Sequence, residues 1–220
     1  MIRRTTRTLQ AALAGLLWGV AATSPVAASP DASTAVTADT AANEDAARAT
    51  AVHPVRGFLP DLRFKLDGAN GKTYTEKDFR GKTVMLFFGY ASCPDICPTT
   101  MAQLSQVMEK LGPKADKARI VFISVDPHRD TADVLQAYVN IFDSNAIGLT
   151  GSEKQIADVA RRYRVSYQIE KPDSDNPDSY EVAHSRGIYI FDEKGRARIL
   201  ASDGESVDAL YDAVIRVMES

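Results

Sequence analysis

Between Thr83 and Tyr90 the chain contains Val84-Met85-Leu86-Phe87-Phe88, five apolar residues with no polar one among them. In an extended strand successive side chains point to opposite faces, so such a run must be covered on both sides. That requirement excludes a sheet with one wet face for this strand and calls for helices above and below it. Ile120 to Val125 repeats the pattern, giving a second strand of the same kind. Overall, 45% hydrophobic and 25% charged residues in a 220-residue chain exclude wholesale disorder, a fibrous repeat and a polytopic membrane protein.

The other elements can be placed around these two strands. Phe64-Lys65-Leu66 and Thr73-Tyr74, joined through Asp67-Gly68-Ala69-Asn70-Gly71, read as a short hairpin. A helix is expected from Pro98 to Leu111, with Met101, Leu104, Met108 and Leu111 at three- and four-residue spacing on its inner stripe. Helices are also expected over Thr131–Phe142, Glu153–Tyr163 and Ser206–Met218. Short strands are expected at Ile147–Leu149 and Val165–Ile169, with a polar excursion at Lys171–Ser179. Gly187–Phe191 and Ala197–Ala201 flank the turn Asp192-Glu193-Lys194-Gly195 as a second hairpin. This order predicts one α/β domain over residues 52–220, a mixed central sheet flanked by helices, in the sequence of elements of a thioredoxin-like fold.

What precedes the domain reads differently. Arg3, Arg4 and Arg7 form a basic head, Ala11 to Ala22 an apolar run, and Pro25-Val26-Ala27-Ala28 a small-residue stretch suited to cleavage. Residues 1–28 are therefore expected to be a signal peptide, with an uncleaved anchor as the alternative, since Leu9 to Ala28 approaches the ~20 residues that span a bilayer. Both readings place the domain outside the inner membrane, in the periplasm or tethered to that membrane's outer face. Residues 29–51, rich in Ala, Thr and Asp and without an aromatic residue, are expected to be a disordered linker. Extended, it would reach at most ~75 Å, and as a coil roughly 25–30 Å. The net charge of -3 falls to about -6 without the leader, which has three arginines and no acid. An acidic remainder with no Lys/Arg-rich run argues against nucleic acid as a partner.

The only two cysteines lie in Gly89-Tyr90-Ala91-Ser92-Cys93-Pro94-Asp95-Ile96-Cys97-Pro98, between a buried strand and a helix. Two cysteines exclude a disulfide framework. Cys97 falls at the helix start, where unpaired N–H groups favour a thiolate, so its pKa is expected to be lowered. Cys93 lies four residues earlier and can fold back over the helix end. The pair can close a disulfide or offer two sulfurs to one metal. The Cys-x-x-x-Cys spacing, one residue wider than the usual redox pair, leaves room for an ion. Two thiolates alone suit Cu(I), and a third ligand broadens the range to Cu(II). His184 is the leading candidate for that ligand, ahead of His128 and His53. Asp95 either tunes the thiols, meets a partner or is a solvated loop carboxylate. Asp126 is read as starting a turn with Pro127. Asp173, Asp175 and Asp178 lack the closing Glu of a calcium loop and are read as a solvated loop.

At these residues the chain resembles the Sco/SenC family of copper-binding, thioredoxin-like proteins that assemble cytochrome c oxidase. The likeness covers nearly all of Phe58 to Ser220. Its most specific block is Cys93-Pro94-Asp95-Ile96-Cys97-Pro98-Thr99-Thr100, with the late His184-Ser185. Ser124-Val125-Asp126-Pro127, Arg129-Asp130-Thr131 and Gly148-Leu149-Thr150-Gly151 follow in order. The resemblance implies copper held by Cys93, Cys97 and His184, and its delivery to the dinuclear copper centre in subunit II of a cytochrome c oxidase. On the reading of the residues themselves, Cys93 and Cys97 are candidates for a redox-active disulfide, and Asp95 and Asp126 for supporting or docking roles. One departure is Ala183, where family members often carry Asp before the histidine.

Three activities compete for the same residues. A copper chaperone would bind and pass on metal without turnover, and would need an upstream copper donor and a thiol reductant. A thiol–disulfide oxidoreductase acting on an oxidase subunit would use Cys93 to attack and Cys97 to resolve, and would not need His184. A peroxidase is disfavoured, because Pro94 occupies the position where the peroxidatic turn carries Thr or Ser.

Overall fold

The computed structural model describes residues 52–55, 57, 59–171, 174–176 and 179–220. The expected leader and linker lie outside the described residues. Among the described residues no helix is long and apolar enough to cross a membrane.

The central sheet has six strands. The apolar run Val84–Phe88 lies in strand β4, Thr83–Gly89, and all seven residues of that strand are buried. It pairs in parallel with β5, Ala118–Ser124, which pairs in parallel with β6, Ile147–Leu149. On the other side of β4 lie β9, Gly187–Phe191, then β10, Ala197–Ser202, then β1, Val52–Pro54, each antiparallel to its neighbour. The order is β1-β10-β9-β4-β5-β6, which puts the most apolar strands at the centre. The expected early hairpin forms as β2, Lys65–Asp67, with β3, Thr73–Thr75, but as a small sheet of its own.

Alternation along β4 sorts the core. The Phe87 ring packs tilted against Phe122, and Phe122 against Tyr138. Phe88 points the other way, against Tyr163 and Tyr189. Tyr163 is fully buried, and its hydroxyl accepts the Arg63 N–H at 2.8 Å and donates to the Asp61 carbonyl at 3.2 Å. A buried phenol with both bonds made carries little desolvation penalty.

Four helices flank the sheet among the described residues. They are α1, Ile96–Leu111; α2, Ala132–Asn140; α3, Glu153–Arg162; and α4, Val207–Met218. Each of the last three starts behind a hydroxyl that caps a backbone N–H, from Thr131, Ser152 and Ser206. Helix α1 begins two residues before the expected Pro98. Proline at its third position costs nothing, because the first four N–H groups of a helix have no intrahelical partner. The expected inner stripe of Met101, Leu104, Met108 and Leu111 is buried.

One difference from the sequence reading bears on function. The strand expected over Val165–Ile169 shortens to β7, Tyr167–Ile169, and pairs with β8, Val182–His184. This hairpin is separate from the six-stranded sheet. Of the three β8 residues only Val182 is buried, so no apolar pattern marked the strand.

Candidate metal centre

The loop from β4 to α1 turns tightly, with the Cys93 N–H donating to the Tyr90 carbonyl at 3.2 Å. Cys97, in the first turn of α1, is fully buried, whereas Cys93 is half-buried. Gly89 makes that burial feasible. A Cβ there would lie 2.8 Å from the Cys97 sulfur and 2.9 Å from the Phe122 ring, so the sulfur rests directly on strand backbone.

His184 reaches the pair from the end of β8. Its Nε2 lies 3.6 Å from Cys97 Sγ, and its Nδ1 is 3.0 Å from the Ser185 carbonyl oxygen. A carbonyl can only accept, so Nδ1 carries the proton and Nε2 turns a lone pair toward the sulfurs. The imidazole meets the rings of Phe87 and Tyr90 edge to face. The two sulfurs and a ring nitrogen lie within 4.8 Å of one another.

Burial acts differently on the two thiols. At Cys97 it is the main influence and pushes the pKa up, and the nearby Cys93 and Asp130 add to the rise. At Cys93 burial also works against the thiolate, but the backbone N–H groups of Asp95 and Cys97 outweigh it and the net shift is downward. The Cys97 N–H points at Cys93 Sγ from 3.5 Å. The expectation of a lowered Cys97 is therefore corrected: the free N–H groups at the helix start serve Cys93, and Cys97 pays for its depth. Burial lowers the pKa of His184, which keeps the ring neutral. It pushes the Tyr90 phenol up to about 12.

Beyond the three donors, polar side chains at the C-terminal ends of β4 and β5 tie the loops together. Asp126 is fully buried, receives hydrogen bonds from Tyr180 Oη at 2.8 Å and from Arg129 Nε, and donates its own N–H to Ser124 Oγ. It does more than start a turn. Asp130, also buried, accepts from Ser124 Oγ at 2.6 Å and from the Ala91 N–H at 3.0 Å, which anchors the cysteine loop. Burial raises the Asp130 pKa, and the Asp126 charge adds to it.

Asp95 is exposed, and it contributes its backbone N–H to Cys93, whereas its carboxylate caps nothing. His128 is exposed beside Glu153, 3.4 Å away, and His53 is exposed on β1 paired with Leu200. Neither belongs to the cluster. Ala183 is exposed next to His184. Of the three acids dismissed as a calcium loop, Asp175 is exposed, and Asp173 and Asp178 lie outside the described residues. Gly89, Tyr90, Arg129, Asp130 and Tyr180 had no role assigned from sequence. The adjacency of Arg129-Asp130 to Asp126 was the available signal.

Two thiol sulfurs and a neutral imidazole nitrogen form a soft donor set in a largely dry site, and they fit a thiophilic ion such as copper better than magnesium or calcium. Residues 59–219 match the family model described as SCO1/SenC. The chain belongs to that family. A mitochondrial SCO2 homolog of Bos taurus is 40% identical over 157 residues, covering 70% of this chain and 58% of its own length. This Sco chain thus spans little more than half of that relative. The copper-bound structure of Bradyrhizobium japonicum ScoI is 35% identical with a TM-score of 0.64, and covers 72% of this chain and 99% of its own. The copper-bound ScoI of Arabidopsis thaliana is 36% identical with a TM-score of 0.66, and covers 72% of this chain and 98% of its own. The mixed sheet and its helices are thioredoxin-like, as in these relatives.

Proposed function

We propose that this Sco protein is a copper chaperone that receives copper on Cys93, Cys97 and His184 and delivers it to the dinuclear centre of cytochrome c oxidase subunit II. The observation that carries the reading is the convergence of two sulfurs and a ring nitrogen within 4.8 Å. Copper is cargo here. Cys93, with the lower pKa, takes the incoming Cu(I) first, and Cys97 gives up its proton as its sulfur joins. His184 needs no proton removed, because its Nε2 is already free. Delivery begins at the same sulfur. An acceptor thiolate displaces the half-buried Cys93, and copper leaves the buried Cys97 last. Loading requires a reduced pair, so the reading includes a thiol reductant and an upstream copper donor. It also places the domain in the periplasm, tethered or free.

The test is Cu(I) titration of reduced protein, with absorption spectra of the Cu(II) form. About one ion per chain is expected, with a thiolate-to-Cu(II) charge-transfer band that disappears in His184→Ala. Undiminished binding in His184→Ala, with no loss in either cysteine variant, would end the reading. The unequal thiols also favour a second activity, thiol–disulfide exchange, with Cys93 attacking and Cys97 resolving. In that case His184→Ala would keep reductase activity and copper would inhibit it.

A further inference from the structure

The three proposed ligands sit on two separately built pieces. Cys93 and Cys97 belong to the junction of β4 and α1, at the centre of the six-stranded sheet. His184 ends the β7–β8 hairpin, which forms a sheet of its own. Among the described residues no ladder of backbone bonds joins the two sheets, and the chain ties His184 to the central sheet only through Ser185-Arg186 into β9, so the tilt of the hairpin about that link is left to side-chain contacts. The Phe87 and Tyr90 rings supply edge contacts, which resist sliding weakly.

The strongest polar attachment lies four residues before His184. Tyr180 Oη donates to Asp126 at 2.8 Å, Arg129 Nε donates to the same carboxylate, and Arg129 Nη1 donates to the Tyr180 carbonyl at 3.0 Å. The guanidinium also stacks over the Tyr180 ring, 3.6 Å from its centroid. These contacts close a ring of three residues. Its base, Asp126, is fully buried just beyond β5 and is fixed by Ser124, so it moves with the central sheet. Its other side, Tyr180, leads directly into β8. A buried carboxylate that loses a donor is left undersolvated, which makes the closed arrangement strongly preferred.

We propose that Tyr180, Asp126 and Arg129 form a latch that holds the β7–β8 hairpin against the cysteine loop and so sets how tightly His184 grips the copper. The three are positioning residues, since none supplies a donor atom to the cluster. The proposal rests on the chaperone reading of the site. With the latch closed, the hairpin presents Nε2 to the sulfurs and the third ligand is always available. With it open, the hairpin can pivot about the Ser185-Arg186 link and draw the imidazole back, leaving copper on two thiolates, a state from which an acceptor extracts it more easily. Apparent affinity then falls with the fraction of time the hairpin is docked.

The experiment compares wild type, Tyr180→Phe, His184→Ala and the double variant. Each is loaded with one Cu(I) per chain and mixed with excess bidentate Cu(I) chelator, and the transfer rate is followed by absorbance. Tyr180→Phe keeps the ring and its stacking and removes only the hydroxyl bond to Asp126. Losing one hydrogen bond to a charged group should speed transfer about tenfold and weaken the Cu(II) charge-transfer band. His184→Ala should be at least as fast, and adding Tyr180→Phe to it should change nothing more, because the latch acts only through the imidazole. Melting temperatures of the apo proteins identify any general loss of packing. Wild-type transfer in Tyr180→Phe, or an equal acceleration on the His184→Ala background, would overturn the latch and leave the copper site standing. Wild-type transfer and spectrum in His184→Ala would overturn both.

Discussion

The sharpest test of how the site is built is the single methyl group added by Gly89→Ala. Its Cβ would stand 2.8 Å from the Cys97 sulfur and 2.9 Å from two carbons of the Phe122 ring. Ordinary contacts between such atoms are about 3.5–4.0 Å, so the neighbours must give by roughly 0.7–1 Å. Neither has room. Cys97 and Phe122 are both fully buried, one held in a helix and the other in a central strand. Overpacking of this kind costs about 1–3 kcal/mol, which for a domain of this size lowers the melting temperature by roughly 2–10 °C. The effect on copper should exceed the effect on stability. Metal–ligand distances tolerate about 0.2 Å, so displacing the Cys97 sulfur by several times that should weaken Cu(I) binding, by about 10–100-fold if it resembles loss of an outer-shell support. Competition against a Cu(I) chelator, paired with thermal unfolding, measures both. Gly148→Ala is the control, because its Cβ would strike the Leu135 backbone at 2.8 Å and so cost stability without touching a ligand. Wild-type copper affinity in Gly89→Ala, or an equal loss in Gly148→Ala, would refute the claim that a bare backbone is what seats the sulfur.

Other outcomes follow from the same geometry. Limited iodoacetamide at neutral pH should label Cys93 well before Cys97, with a pH midpoint below that of an ordinary thiol, and mass spectrometry of the peptides would reveal the opposite order. Asp192 is buried; burial alone would raise its pKa, but the backbone N–H of Arg196 and the Arg196 and Arg198 side chains hold it down. A depressed folded pKa gives stability that is present above the unfolded value of about 3.9 and lost as pH falls through the folded one. Asp192→Asn should therefore cost about 2–4 kcal/mol in neutral urea unfolding, with the gap from wild type closing below about pH 4. His128→Ala and His53→Ala should leave copper stoichiometry unchanged, because both rings are exposed and outside the cluster.

Much of the framework is readable from the chain alone for a physical reason. Strands β4 and β5 are covered on both faces along their middles, so Val84–Phe88 and Ile120–Ile123 are unbroken apolar runs, and the amphipathic stripe of α1 follows from having one wet side. Strand β8 offered no such signal, since its pairing rests on backbone bonds and only Val182 is buried. In the site, Cys93 and Cys97 stood out by their spacing before a helix, and His184 by its place in a family-like block. The unequal thiols did not. Chain order shows that Cys97 lies at a helix start, but only the packing shows that it sits on Gly89 while its helix-end N–H groups turn to Cys93. Asp126 likewise reads as a turn residue until Tyr180, distant in sequence, is seen bonded to it.

The depth difference between the sulfurs also governs how the site meets oxidants. Peroxide arriving from solvent reaches Cys93, whose thiolate is the more accessible and the more reactive. A sulfenic acid formed there would have its sulfur within 4.8 Å of the Cys97 sulfur. Condensation of the two releases water and leaves a disulfide, a product that thiols can reverse, in place of the sulfinic acid that they cannot. On the proposed reading, burying one cysteine beneath the other would give the pair a repairable form of damage, and the proposed ligands would survive to be reduced and loaded again.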